Sequence, residues 1–186
     1  MATLRFYENS WLIHHHASDI SESKRAGLVV LNQMGRFTYD SHRLYSIHMD
    51  FLICYFRSGN KFSNRVFGGV ARKIRDPKGS SLDTFAYFHF CRSANDESDM
   101  PKPWELTKTG PQDLMDLETF YEHESGGLML NALDLGPGMA DSNELSKEYS
   151  RLWLKREQHL FSLKMAGSLK AVILAGISDT GLKFSA

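Results

Sequence analysis

A near-continuous apolar run over residues 49–56 (MDFLICYF) constrains this chain more than any other feature. Turn-forming Arg57-Ser58-Gly59-Asn60 follows directly. A short apolar run stopped by a turn reads as a central strand covered on both faces, and covering both faces requires a layered fold.

The flanking segments supply candidates for the cover. Gly27, Val30, Leu31, Met34 and Phe37 recur at spacings of three and four, the pattern of an amphipathic helix capped by a loop serine. Phe62, Val66, Phe67, Val70 and Ile74 share one face of a second helix, which Asp76-Pro77-Lys78-Gly79 ends. Residues 11–18 (WLIHHHAS) read as a strand entering a loop, and residues 83–91 (DTFAYFHFC) alternate like another. Strands alternating with helices give a mixed α/β protein of the α+β type. At 186 residues, 42% of them hydrophobic and 24% charged, the chain can bury one real core or two very small ones.

Between residues 92 and 110 the composition turns to Ser, Asn, Asp, Pro and Lys, which reads as an exposed connection. A boundary near residue 105 divides the chain into units 1–105 and 106–186, which can still pack as one domain. In the second unit, Leu114, Leu117, Phe120 and Tyr121 form a helical stripe that Gly126-Gly127 interrupts. An apolar pattern resumes over residues 128–135, and a helix over 143–155 places Leu145, Tyr149, Leu152 and Trp153 on one face. Residues 159–164 and 169–177, joined by Met165-Ala166-Gly167-Ser168, read as a β-hairpin.

Lysine plus arginine and aspartate plus glutamate balance at 22 each, so no global field draws the chain to nucleic acid or to an anionic membrane. No apolar run approaches the roughly 20 residues that span a bilayer, and residues 1–19 contain no signal-peptide core. Cys54 and Cys91 lie inside apolar runs, the setting of buried reduced thiols, which fits a cytoplasmic compartment.

Three groupings bear on chemistry. Ser23-Lys24-Arg25-Ala26-Gly27 joins a loop to a helix start, where unpaired N–H groups, the helix dipole and two cations suit a pyrophosphate; the alternative is close helix packing at Gly27 beside solvated cations. His14, His15 and His16 alternate along a strand, and His89 and Cys91 stand in the same i, i+2 relation. Neighbouring strands with His14, His16, His89 and Cys91 on one face would have the donor types of a zinc site, although the HExxH and CxxC spacings are missing. Satisfied strand histidines are the plainer reading, and no metal is expected. Finally, Tyr121-Glu122-His123-Glu124 is a dense titratable cluster at a helix end, fit for a general base or for a solvated face.

Other patterns point elsewhere. His14, His15 and Asp19 spell the HHxxxD of condensation-type acyltransferases, but Ile20 replaces the usual glycine and 186 residues are too few for that two-lobed fold. Tyr55, Phe56, Arg57 and Arg65 with Arg72, Lys73 and Arg75 form a basic, aromatic stretch of the kind that touches RNA or a cyclic dinucleotide, or that keeps a helix soluble. There is no Walker loop or GxGxxG, which argues against nucleotide hydrolysis.

Read together, residues 11–91 resemble the second half of the GNAT superfamily of acyl-CoA-dependent N-acyltransferases. Residues 11–18 would be its splayed strand, Ser23, Lys24, Arg25, Ala26 and Gly27 its pyrophosphate loop, and Asn60 its polar residue near the pantetheine. Residues 111–177 resemble the first half, chiefly through EQHLFSLKMAGSLKAVILAGIS. The chain also resembles stretches of bacterial proteins that stand beside PilZ domains, although the PilZ signature itself is not present in it.

The resemblance implies a GNAT-like central mixed sheet flanked by amphipathic helices, acyl-CoA as cofactor and an amine as acceptor. It directs the search for a base to Glu122, His123, His14 and His16. Two departures point to a second outcome. Arg25-Ala26-Gly27-Leu28 lacks the second glycine of the family's Q/R-x-x-G-x-G/A loop, and the second unit stops after a hairpin. Those departures fit a fragment, a degenerate copy or a chain completed by a partner, hence a non-catalytic GNAT-like module that binds a ligand or protein and regulates an associated domain. An exposed sheet edge in that second unit points to a homodimer; nucleic acid and membrane are not expected partners.

Overall fold

The computed structural model describes residues 2–14, 26–86, 100–136 and 144–180, which form a mixed α+β fold with two three-stranded sheets. The first sheet has the order β1 (Ala2–Tyr7), β2 (Ser10–His14), β3 (Phe51–Cys54). Strands β1 and β2 form an antiparallel hairpin around Glu8 and Asn9, and β3 joins β2 in parallel, with Leu12 opposite Ile53. The chain crosses from β2 to β3 through α1 (Ala26–Ser41) and a 3₁₀ turn (Tyr45–Ile47).

After β3 a helical stretch runs from α2 (Lys61–Ser63) through a π-turn (Asn64–Gly68) into α3 (Gly69–Ile74). It ends with Arg75 in the left-handed conformation, followed by the expected turn at residues 77–79. The second sheet is antiparallel, in the order β4 (Trp104–Lys108), β5 (Arg156–Met165), β6 (Ser168–Ser178). Between β4 and β5 lie α4 (Pro111–Ser125), α5 (Leu128–Ala132) and α6 (Glu144–Arg151).

The fold class and the β5–β6 hairpin agree with the sequence reading. In place of one central sheet, however, the described strands form two. Within the polar connection expected over residues 92–110, β4 occupies 104–108, the position of the boundary placed near residue 105. Among the described residues β4 pairs on one side only and is largely exposed, so its polar composition is that of an edge strand. β1 is a second unpredicted strand. The strand expected over 83–91 is not formed at residues 83–86, and its remainder lies outside the described residues. The same holds for residues 15–18 of the first predicted strand.

Two local devices shape the second half. Asp113 accepts a hydrogen bond from the N–H of Gly110, at the start of α4, and also binds Lys164 Nζ (2.8 Å) and Ser162 Oγ (2.8 Å), which fastens α4 to β5. Burial pushes the Asp113 carboxyl up, but Lys164, the Gly110 N–H and Ser162 together hold it below the usual carboxylate range. At the other end of α4, Gly126 has φ of 82°, and a Cβ there would sit 2.6 Å from Pro77 Cβ. Only glycine fits this close approach of the 76–79 turn.

The core gathers where the first hairpin meets α5 and α6. Leu12 and Leu145 are each 1% exposed, and Leu130, Leu135 and Tyr149 are buried with them. Burying such leucines contributes about 1.5–3 kcal/mol each. The long-range hydrogen bond Ser10 Oγ to Ala132 O (2.6 Å) ties β2 directly to α5.

Candidate functional site

The residues singled out in the sequence fall at separate places. Ser23, Lys24, Arg25 and His16 lie outside the described residues, as do His89 and Cys91. His14 ends β2, and Ala26 and Gly27 open α1 with Gly27 buried. Asn60 caps α2: its Oδ1 accepts the Ser63 N–H at 3.1 Å. That bond gives Asn60 a structural role at the start of the helix.

Glu122 and His123 sit in the last turn of α4, both exposed. His123 Nδ1 lies 2.7 Å from Thr119 O. A carbonyl only accepts, so Nδ1 carries the proton, and Nε2 of the neutral ring is left as an acceptor. Glu122 borders two adjoining hollows, one lined also by Lys78, Glu118, Asn131 and the Gly126-Gly127 turn, the other a more open cleft formed with Lys78, His123 and Gly126. The cleft collects an acid, a base and a cation at an open surface. Cys54, the described cysteine, is a free thiol pushed up to about 11 by burial, which makes it a packing residue rather than a nucleophile.

The densest polar cluster was not foreseen. Asp134 Oδ2 accepts the buried Glu8 N–H at 2.7 Å, and Glu8 Oε1 accepts the Leu145 N–H at 3.1 Å at the start of α6. Arg156 donates through Nε (2.9 Å) and Nη2 (2.7 Å) to Phe6 O, and Tyr149 OH donates to Arg5 O at 2.8 Å. Arg5 bridges to Glu148 at 2.9 Å.

Burial lowers the Arg156 guanidinium, opposed by the Asp134 and Glu8 charges. The Asp134 carboxyl is raised chiefly by burial; the Glu8 N–H opposes this and the Glu8 charge adds to it. Asp134 also has φ of 58°, and its Oδ1 is buried without a hydrogen-bond partner. These bonds join residues 5–8 to residues 134–156 and satisfy backbone groups at element ends. The arrangement is therefore a clasp rather than a reactive centre. A short acidic turn, Glu8-Asn9, was its one visible trace in the sequence.

Among the described residues no group of three or more His, Cys, Asp or Glu is arranged to hold a metal ion, and no helix is long and apolar enough to cross a membrane. Compared with models of protein families, with curated proteins and with solved structures, the chain matches none of them.

Proposed function

We propose that this chain is a non-catalytic GNAT-like module that binds a ligand or protein partner and regulates an associated domain. The observation that carries the reading is an exposed aromatic and cationic surface at the C-terminal end of α1 and the turn after it. Tyr39 is 63% exposed and Tyr45 90%. Arg43 stacks 5.3 Å from the centre of the Tyr39 ring, and the rings of His42 and His48 lie 5.7 and 5.6 Å from those of Tyr39 and Tyr45. Tyrosine and arginine are the side chains on which binding surfaces most depend, because they offer large contact area with a polar handle.

Acyl transfer is the second reading, favoured by the buried Gly27 in the first turn of α1 directly after two cations. In that case Glu122, His123 and His14 are the described candidates for the base, with an amine attacking the thioester. One experiment separates the two. Acetyl-CoA and a longer acyl-CoA are titrated calorimetrically into the wild type and Arg25→Glu, and release of free coenzyme A thiol is followed with a panel of amines. The module reading expects no thiol release, whether or not the coenzyme binds. Turnover that Arg25→Glu abolishes would overturn it in favour of the enzyme.

A further inference from the structure

Strand β6 forms one edge of the second sheet, pairing with β5 on one side and with no other strand among the described residues. It is eleven residues long, SLKAVILAGIS, without proline and with Lys170 as its single charge. Natural edge strands are usually short, charged or bent away, because a long apolar edge presents free N–H and C=O groups to any strand that can reach them. Here the one bulge lies beside Lys170, and from Ala171 to Ser178 the pairing with β5 is regular. That stretch therefore presents a straight, unblunted template.

Its order of side chains is nearly the same read in either direction about Ile173. An antiparallel pairing of two copies centred there sets Ile173 against Ile173, Val172 against Leu174 and Ala171 against Ala175. Branched side chains meet branched ones and small meet small. Lys170 lies towards Gly176 of the other copy, not towards its own counterpart, so the two-fold arrangement brings no like charges together.

The two faces of the strand agree with this. Ser162, opposite Val172, points to Asp113 on α4, so the face carrying Val172 and Leu174 is covered within the chain. On the other face Ile173 and Ile177 are 42% and 47% exposed, beside Phe161 opposite Ile173. Pairing at the edge would place two exposed Ile173 side chains next to each other and extend this apolar face across both copies.

We propose that β6 is a self-association edge at which a second copy of this chain adds antiparallel about Ile173, joining the two second sheets into one continuous six-stranded sheet. The interface is isologous, as closed dimers require. It does not depend on the functional reading above.

The test uses light scattering with sedimentation, and disulfide trapping. The wild type is expected to dimerise reversibly at concentrations up to about 100 µM. Ile173→Lys, a substitution at an exposed position, should raise the dissociation constant at least about tenfold by setting two charges opposite each other. For trapping, the central pair has its Cα atoms about 4.5–5.5 Å apart, within disulfide reach. Ile173→Cys should therefore cross-link with itself on mild oxidation, with the wild type run in parallel to account for Cys54 and Cys91. Ala171→Cys should not, because in this register its own counterpart lies roughly 13 Å away; mixed with Ala175→Cys it should. A monomer throughout that range, a dimer indifferent to Ile173→Lys, or self-linking of Ala171→Cys equal to that of Ile173→Cys would each overturn the proposal. Trapping does not depend on the lysine variant's folding.

Discussion

Replacing Asp134 by alanine and by asparagine separates what its carboxyl does as an acceptor from what it does as a charge. Asp134 Oδ2 accepts the Glu8 N–H at 2.7 Å in a buried setting, and the residue holds φ of 58°. Alanine strands that N–H without a partner, a loss of about 1.5–3 kcal/mol for a bond to a charged acceptor. The left-handed conformation adds about 1–2 kcal/mol for a side chain unable to bond locally. Part of this is returned because a buried charge is removed, so Asp134→Ala should destabilise the protein by about 2–4 kcal/mol. Asparagine keeps an acceptor for Glu8, tolerates positive φ and carries no charge, so its cost should stay below about 1 kcal/mol.

The pH dependence gives an independent check. The folded carboxyl is raised above its ordinary value, mainly by burial. Between the ordinary and the raised value the folded protein keeps a proton that the unfolded chain has lost. The contribution of Asp134 is therefore fully present below the ordinary carboxylate pKa and is lost as pH rises through the folded one. Urea unfolding followed by circular dichroism should show the wild type gaining on Asp134→Asn as pH falls towards 4, and losing ground towards neutrality. Asparagine costing as much as alanine, or a wild-type advantage that grows as pH rises, would show that the charge itself holds the clasp and would refute the role of Asp134 as an acceptor whose burial disfavours ionisation.

The other stability predictions concern the ends of α4. Gly126→Ala should cost about 2 kcal/mol or more in the same assay, since the new methyl meets Pro77 Cβ at 2.6 Å and φ is 82°; a loss under about 0.5 kcal/mol would mean that the 76–79 turn is free to move. Asp113→Ala should cost about 2–3 kcal/mol near neutrality by removing the bonds to Gly110, Ser162 and Lys164. Its carboxyl is lowered on folding, so its contribution is present above the ordinary carboxylate pKa and lost as pH falls through the folded value. A wild-type advantage over Asp113→Ala that grew as pH fell below the ordinary carboxylate pKa would contradict this.

Much of the second half was legible because its signals are local. Gly167 lies between two alternating apolar runs, and the β5–β6 hairpin formed there. Gly126-Gly127 separated α4 from α5 as the interrupted stripe implied, and Asp76-Pro77 closed the helix before it. Strands β1 and β4 escaped notice for one physical reason. Neither carries an unbroken apolar run: β1 alternates Thr3 and Arg5 with Leu4 and Phe6, and β4 is largely exposed, whereas β3 shows such a run although among the described residues it lies at the edge of its sheet and not at the centre. Of the site residues, Asn60 was visible as a turn residue, but its role as a helix cap came only with the position of Ser63.

By itself the sequence determined the local punctuation and the class. Turns, helix faces and the closing hairpin depend on residues a few positions apart, and their pattern was enough for a mixed α+β chain. Tertiary structure alone decided that the described strands form two sheets and that Glu8 meets Asp134 across 126 positions. It also decided that Arg156 reaches back 150 positions to Phe6. Such pairings leave no periodicity in the chain. A buried carboxylate, a guanidinium and the backbone groups they satisfy are selected by the space between packed elements, and that space exists only once the chain has folded.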